Sequence, residues 1–165
     1  MEWSQLGQKP KNMPAVPDAG TSVSGLLKIN RHISLKYDPD RWKPAAPDND
    51  GPVALTHSAG SAHVMIIAEP LGVPRGSLED LVLANAQFVD PNARIVYRAQ
   101  RRINGVDVRF LKIEADVNEV PMVYWGFFYG GEYGTVQVVT CTAQTRLPEY
   151  EKDFTDLLNG FAVAK

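Results

Sequence analysis

The chain has 165 residues, 44% of them apolar and 22% charged, with a formal net charge of −2 and a pI of about 5.9. That length and composition predict one domain with a single sizeable core, and the near-neutral balance excludes the basic field on which non-specific nucleic-acid binding depends. No stretch approaches the ~20 apolar residues of a membrane span, the start lacks the basic-then-apolar pattern of a signal peptide, and the lone Cys141 excludes an internal disulfide.

Residues 1–24 carry Gly7, Pro10, Pro14, Pro17 and Gly20 without sustained periodicity, which predicts a flexible N-terminal arm before a single domain over 25–165. Trp3 is the one large apolar residue there that could dock. Over 26–38 the pattern turns strand-like, because Ile33, Leu35 and Tyr37 alternate with Ser34, Lys36 and Asp38. Asp38-Pro39-Asp40 stops that strand, and Trp42 is expected in the loop that follows, with Pro44 and Pro47. Two strands are predicted over 53–57 and 63–69, reversing around Gly60.

A helix is predicted over 77–89, with Ser77 and Asp80 as capping partners, Leu78, Leu81, Val82 and Phe88 on one face, and Asp90-Pro91 as its end. Asn104-Gly105 suits the two positive backbone angles of a type I′ turn, so 94–115 reads as a hairpin. Its register follows: Ile103 pairs with Val106, Arg102 with Asp107, Arg101 with Val108, Gln100 with Arg109 and Arg98 with Leu111. One face then gathers Arg98, Gln100, Arg102, Asp107 and Arg109, and the other Ala99, Ile103, Val106, Val108 and Phe110. Beyond Phe110 the apolar residues shift to Leu111, Ile113 and Ala115, as for a bulge or a strand that passes under a helix. Glu114, Asp116 and Glu119 read as a surface loop before Pro121.

From Met122 to Tyr129 both parities are apolar, as in a central strand covered on two faces: Tyr124, Gly126 and Phe128 on one, Val123, Trp125, Phe127 and Tyr129 on the other. A glycine-rich turn at 130–134 returns the chain through 135–142, where Cys141 is a small buried hydrophobe. Leu147, Tyr150, Phe154, Leu157, Leu158 and Phe161 recur at three and four, which predicts a closing helix with Pro148 in its first turn and Gly160 at its end.

The strand with Ile33, Leu35, Tyr37, Asp38 and Pro39, the Trp42 loop, the Asn104-Gly105 hairpin and the closing run from Phe154 to Phe161 together resemble the PsbP-like superfamily, over about residues 25–163. That superfamily groups the photosystem II extrinsic protein PsbP with a nuclear Ran-binding import factor and many bacterial domains of unknown function. The resemblance implies an α+β fold, an α/β/α sandwich with a central antiparallel sheet covered by helices. It also implies a non-catalytic protein that docks to a partner, and an extracytoplasmic location of the kind many bacterial members have. No motif carries over photosystem II or Ran as the partner.

Candidate sites are few. Arg98, Arg102 and Arg109 could take a carboxylate or phosphate, since guanidinium forks suit planar anions; a solvated face partly neutralised by Asp107 explains them too. Trp42 and Tyr133, both near turns, are the aromatics expected to stay exposed for a partner. His57 and His63 could face each other across 58–62, but two imidazoles are too few for a metal site, so no metal or other cofactor is expected. Enzyme signatures are missing: no Gly-x-Ser-x-Gly elbow, phosphate-binding glycine loop or His-Glu-x-x-His. The expectation is a non-enzymatic domain docking to a protein through the arginine-bearing hairpin and loop aromatics. The alternative is a small-ligand carrier with an apolar groove between sheet and helix, which a cavity lined by Trp125, Phe128 and Phe154 would favour.

Overall fold

Residues 25–44, 53–70 and 75–164 are described in a computed structural model of the protein. The arm expected over 1–24, Trp3 within it, and Pro47 lie outside these. Strand β1 (Leu26–Lys28) and β2 (Ile33–Lys36) are followed by β3 (Trp42–Pro44), β4 (Val53–His57) and β5 (Ala62–Glu69), then helix α1 (Arg75–Val89). Strands β6 (Arg94–Ile103), β7 (Val106–Val117), β8 (Val120–Gly131) and β9 (Gly134–Ala143) lead through a short 3-10 turn into helix α2 (Leu147–Leu158) and strand β10 (Phe161–Val163).

Two antiparallel sheets result. The large one has seven strands in the order β3-β4-β5-β9-β8-β7-β6, and the small one has the order β1-β2-β10. The doubly apolar β8 explains this layering, because it must be covered on both faces. Tyr124 and Phe128 pack with Leu78, Val82 and Ala86 of α1. Val123, Trp125, Phe127 and Tyr129 pack with Tyr150, Phe154, Leu157 and Leu158 of α2, and with Leu27, Ile33, Leu35 and Phe161 of the small sheet. The chain is thus an α/β/α sandwich.

The predicted hairpin register is the observed one, from Ile103 opposite Val106 to Arg98 opposite Leu111. Asn104 and Gly105 take positive φ of 50° and 82°, as a type I′ turn requires. Leu111, Ile113 and Ala115 turn inward because β7 runs under α1, while the bulge sits on its partner strand between Ile95 and Tyr97.

Several expectations need correction. The segment 26–38 is two short strands of the separate small sheet. Trp42 starts β3 instead of lying in a loop. Helix α1 begins at Arg75, so Ser77 lies inside its first turn and is not its cap. Phe88 is 76% exposed: at 100° per residue it points well away from the line of Leu78, Val82 and Ala86. Glu114 and Asp116 belong to β7, and the β7–β8 reversal is a two-residue turn in which Asn118 and Glu119 hold φ of 51° and 68°. Phe161 is not on the closing helix; the chain turns at Asn159 and Gly160, and Phe161 pairs with Leu35. A Cβ on Gly160 would stand 2.1 Å from the Lys36 carbonyl oxygen, so the chain can approach β2 there only as glycine.

Candidate functional site

The β6–β7 hairpin reaches past the end of α2, and its turn is tied to the molecule. Asn104 Nδ2 donates to the carbonyls of Phe161 (2.8 Å) and Asn159 (3.2 Å), so the left-handed asparagine that makes the turn also fastens it to the α2–β10 connection. A hairpin held at its tip presents its side chains in fixed rows.

On the α1 side the register gathers Arg98, Arg102 and Arg109, but each is already paired. Arg98 Nε donates to Glu79 Oε1 at 2.8 Å and Arg109 Nε to Glu79 Oε2 at 2.7 Å, so one carboxylate of α1 holds two guanidinium groups. Arg102 reaches Asp107 at 3.1 Å. The side chains of Arg98 and Arg102 are 58% and 68% exposed and that of Arg109 is 38%, which leaves the first two with solvent-facing donors and sets Arg109 deeper.

The α2 side differs. The Arg101 guanidinium lies 4.1 Å over the Phe110 ring, and Lys112 Nζ stands 4.2 Å over Trp125 and 5.0 Å from the Tyr97 centroid. Among the described residues neither cation has a carboxylate partner, whereas Arg94, Arg98, Arg102 and Arg109 all do. Both side chains are half-buried against these rings, where a cation is attracted to the electron-rich face. Tyr97 is 45% exposed beside them, and Trp125 Nε1 is buried beneath without a hydrogen-bond partner among the described residues. Arg101 and Lys112 were not singled out from sequence. The signal was there: parity places both with Phe110 and Ala99, cations on an otherwise apolar row.

The remaining candidates scatter. Trp42 is 1% exposed, stacked on Phe154 at 6.0 Å and edge-on to His57 at 5.0 Å, so it is a core ring and not a partner contact. It is buried because β3 carries it over α2. Tyr133 is half-buried and stacks on His32 at 4.0 Å; its hydrogen bond with Glu132, then burial and that carboxylate's charge, push the phenol above its ordinary 10.0. His57 and His63 do not meet. His63 pairs with Thr56, one residue out of step, so it faces solvent while the His57 ring turns inward. His57 Nδ1 accepts from the Ala59 N–H at 3.1 Å, and Nε2 lies 2.8 Å from Asp153 Oδ2. Arg41 completes the Asp153 carboxylate at 2.7 Å. Both ring nitrogens are engaged, which suits an internal brace between β4 and α2. Among the described residues no group of three or more His, Cys, Asp or Glu could hold a metal ion, and no helix is long and apolar enough to cross a membrane.

A cleft of about 150 Å³ opens on the α1 side, lined by Leu78, Gln100, Asp107, Arg109 and Phe128 among others. The cavity that would have favoured a carrier is not formed, because Phe128 lies on the α1 side of the sheet and Trp125 and Phe154 on the other.

This arrangement of sheet, helices and hairpin is a PsbP-like α+β fold. The solution structure of cyanobacterial PsbP (CyanoP) from Synechocystis is similar with a TM-score of 0.58 at 14% identity, over 88% of this chain and 96% of that one. The structure of PA94 from Pseudomonas aeruginosa, a protein of unknown function, gives 0.54 at 13% identity over 72% of this chain and 94% of that one. LpqN of Mycobacterium tuberculosis, involved in cell envelope biogenesis, gives 0.51 at 10% identity over 82% and 87%. At these identities the likeness is one of fold. No protein-family model matches the chain, and no curated protein does.

Proposed function

We propose that this chain is a non-enzymatic docking domain that binds a protein partner through the β6–β7 hairpin. The observation that carries the reading is the contrast between the hairpin's two sides: the α1-side arginines are neutralised internally, while Arg101 and Lys112, over Phe110, Tyr97 and Trp125, have no carboxylate partner among the described residues. Arginine and exposed aromatic side chains, here Arg101 and Tyr97, are enriched at interfaces because they combine buried area with directed polar contact. Arg98 and Arg102 form the rim, where exposed charge governs encounter rate more than affinity. The filled core, the PsbP-like fold and the engagement of both His57 nitrogens support an accessory role over a catalytic one.

The test is co-isolation of partners from the organism that carries the chain. Arg101→Gln with Lys112→Gln keeps part of each stem over the rings and removes both charges. Partners recovered with the wild type should be lost with this pair and only reduced with Arg98→Gln. Undiminished recovery with the pair would exclude this hairpin as the docking site.

A second reading, the small-ligand carrier, draws on the cleft between α1 and the sheet. A Leu78→Trp substitution would fill that cleft, and displacement of a co-purifying small molecule, read by mass spectrometry, would favour the carrier.

A further inference from the structure

Resting on the docking reading, we propose that β6 is a strand-addition edge that takes an extended, acidic segment of a protein partner as an eighth strand of the large sheet. β6 ends the sheet on one side, and the pattern of its open edge follows from the turn. In a two-residue hairpin the flanking residues, here Ile103 and Val106, exchange both backbone hydrogen bonds. Counting back, Arg101, Ala99 and Tyr97 also bond to β7. Arg98, Gln100 and Arg102 therefore turn their N–H and C=O groups outward, and among the described residues none of the three has another backbone partner. The opposite edge, β3, is only three residues long.

Charge selects the occupant. β6 contains Arg94, Arg98, Arg101 and Arg102 and no acidic residue, so a second copy of the same edge would be repelled and an acidic strand attracted. The two sides of the incoming strand face different surroundings. Its residues on the α1 side would meet Arg98 and Arg102, already matched by Glu79 and Asp107. Those on the α2 side would meet Arg101, with Lys112 on the next strand, and neither cation has a carboxylate among the described residues. Side chains on one face of a strand recur every two residues, so carboxylates at that spacing on the α2 side are the chemistry recognised. Exposed Tyr97 adds apolar area for the side chain that follows them.

The test uses a labelled ten-residue peptide alternating Glu and Val, its Lys-for-Glu counterpart, and amide hydrogen exchange. The Glu peptide should bind, the Lys peptide should not, and binding should slow exchange at Arg98, Gln100 and Arg102. Gln100→Pro removes an outward N–H without breaking a bond to β7, and it should weaken binding by roughly tenfold or more. If that variant does not fold, Arg101→Met, which keeps the stem over Phe110, should weaken it by about tenfold. Peptide binding unchanged in the folded variant, no binding by the Glu peptide, or protection of the same amides through self-association would each overturn the proposal. Loss of partner co-isolation in the Arg101 and Lys112 pair but not in Gln100→Pro would leave hairpin docking standing and remove strand addition.

Discussion

Arg101 and Arg98 are three residues apart on one strand, yet their surroundings assign them different roles. Arg98 shares the Glu79 carboxylate with Arg109, while Arg101 lies over the ring of Phe110 and has no carboxylate partner among the described residues. Asp153 shows what a satisfied charge looks like in this molecule, with side-chain exposure of 8%, Arg41 on one oxygen and His57 on the other. Removing it leaves the buried His57 imidazole without that partner, while the half-exposed Arg41 keeps Asp38. Asp153→Ala should therefore cost about 3 kcal/mol of unfolding free energy, and Asp153→Asn less, since an amide oxygen still accepts the His57 N–H; urea denaturation measures both. Asp90 works through backbone donors. The N–H of Asp116 first, then that of Asn92, and more weakly the charge of Arg94, hold its carboxyl below the ordinary 3.8 against the opposing effect of burial. A depressed folded-state value means that this stabilisation is present above the unfolded value and is lost as pH falls through the folded one. Between about pH 6 and pH 3 the wild-type urea midpoint should fall further than that of Asp90→Asn, which has no proton to take up there. Equal falls would show that Asp90 does not couple folding to acid.

At the scale of elements, the hairpin makes a sharp prediction because one residue does two jobs. Asn104→Gly preserves the positive φ of the turn but deletes the hydrogen bonds to Phe161 and Asn159, so it should lose about 1 kcal/mol. Asn104→Ala should lose more, since it adds backbone strain. Denaturation of the two variants side by side checks the order. The same hairpin shows how much was legible in the sequence. Asn-Gly dictates a turn type, the turn type dictates a register, and alternation then assigns every side chain to a face. The doubly apolar β8 likewise announced a sheet covered on both sides. Illegible elements were those whose form depends on distant partners. β1, β2 and β10 are three or four residues each and are strands only because they pair with one another. Phe161 keeps helical spacing with Phe154 and Leu157, yet Gly160 lets the chain leave the helix to join β2. Asn118 and Glu119 turn without any glycine to mark them.

At the scale of the molecule, the candidate site was half legible. Sequence register located the hairpin and gathered its arginines, but could not foresee Glu79, which arrives from a helix closing over the sheet. That one carboxylate moves the open charge to the other side of the hairpin, to Arg101 and Lys112. Trp42, expected at the surface near a turn, was drawn into the core because α2 presents Phe154 to stack on it. The molecule is a sandwich whose central sheet is packed with apolar side chains on both faces, and its long edge β6 is where we propose that the partner docks. A photoreactive side chain at Gln100, compared with one at Lys43 on the opposite edge, tests this most directly in the cells that make the protein. A discrete cross-linked partner is expected from position 100 and none from position 43. Cross-links from position 43 alone, or from neither, would exclude β6 as the docking edge.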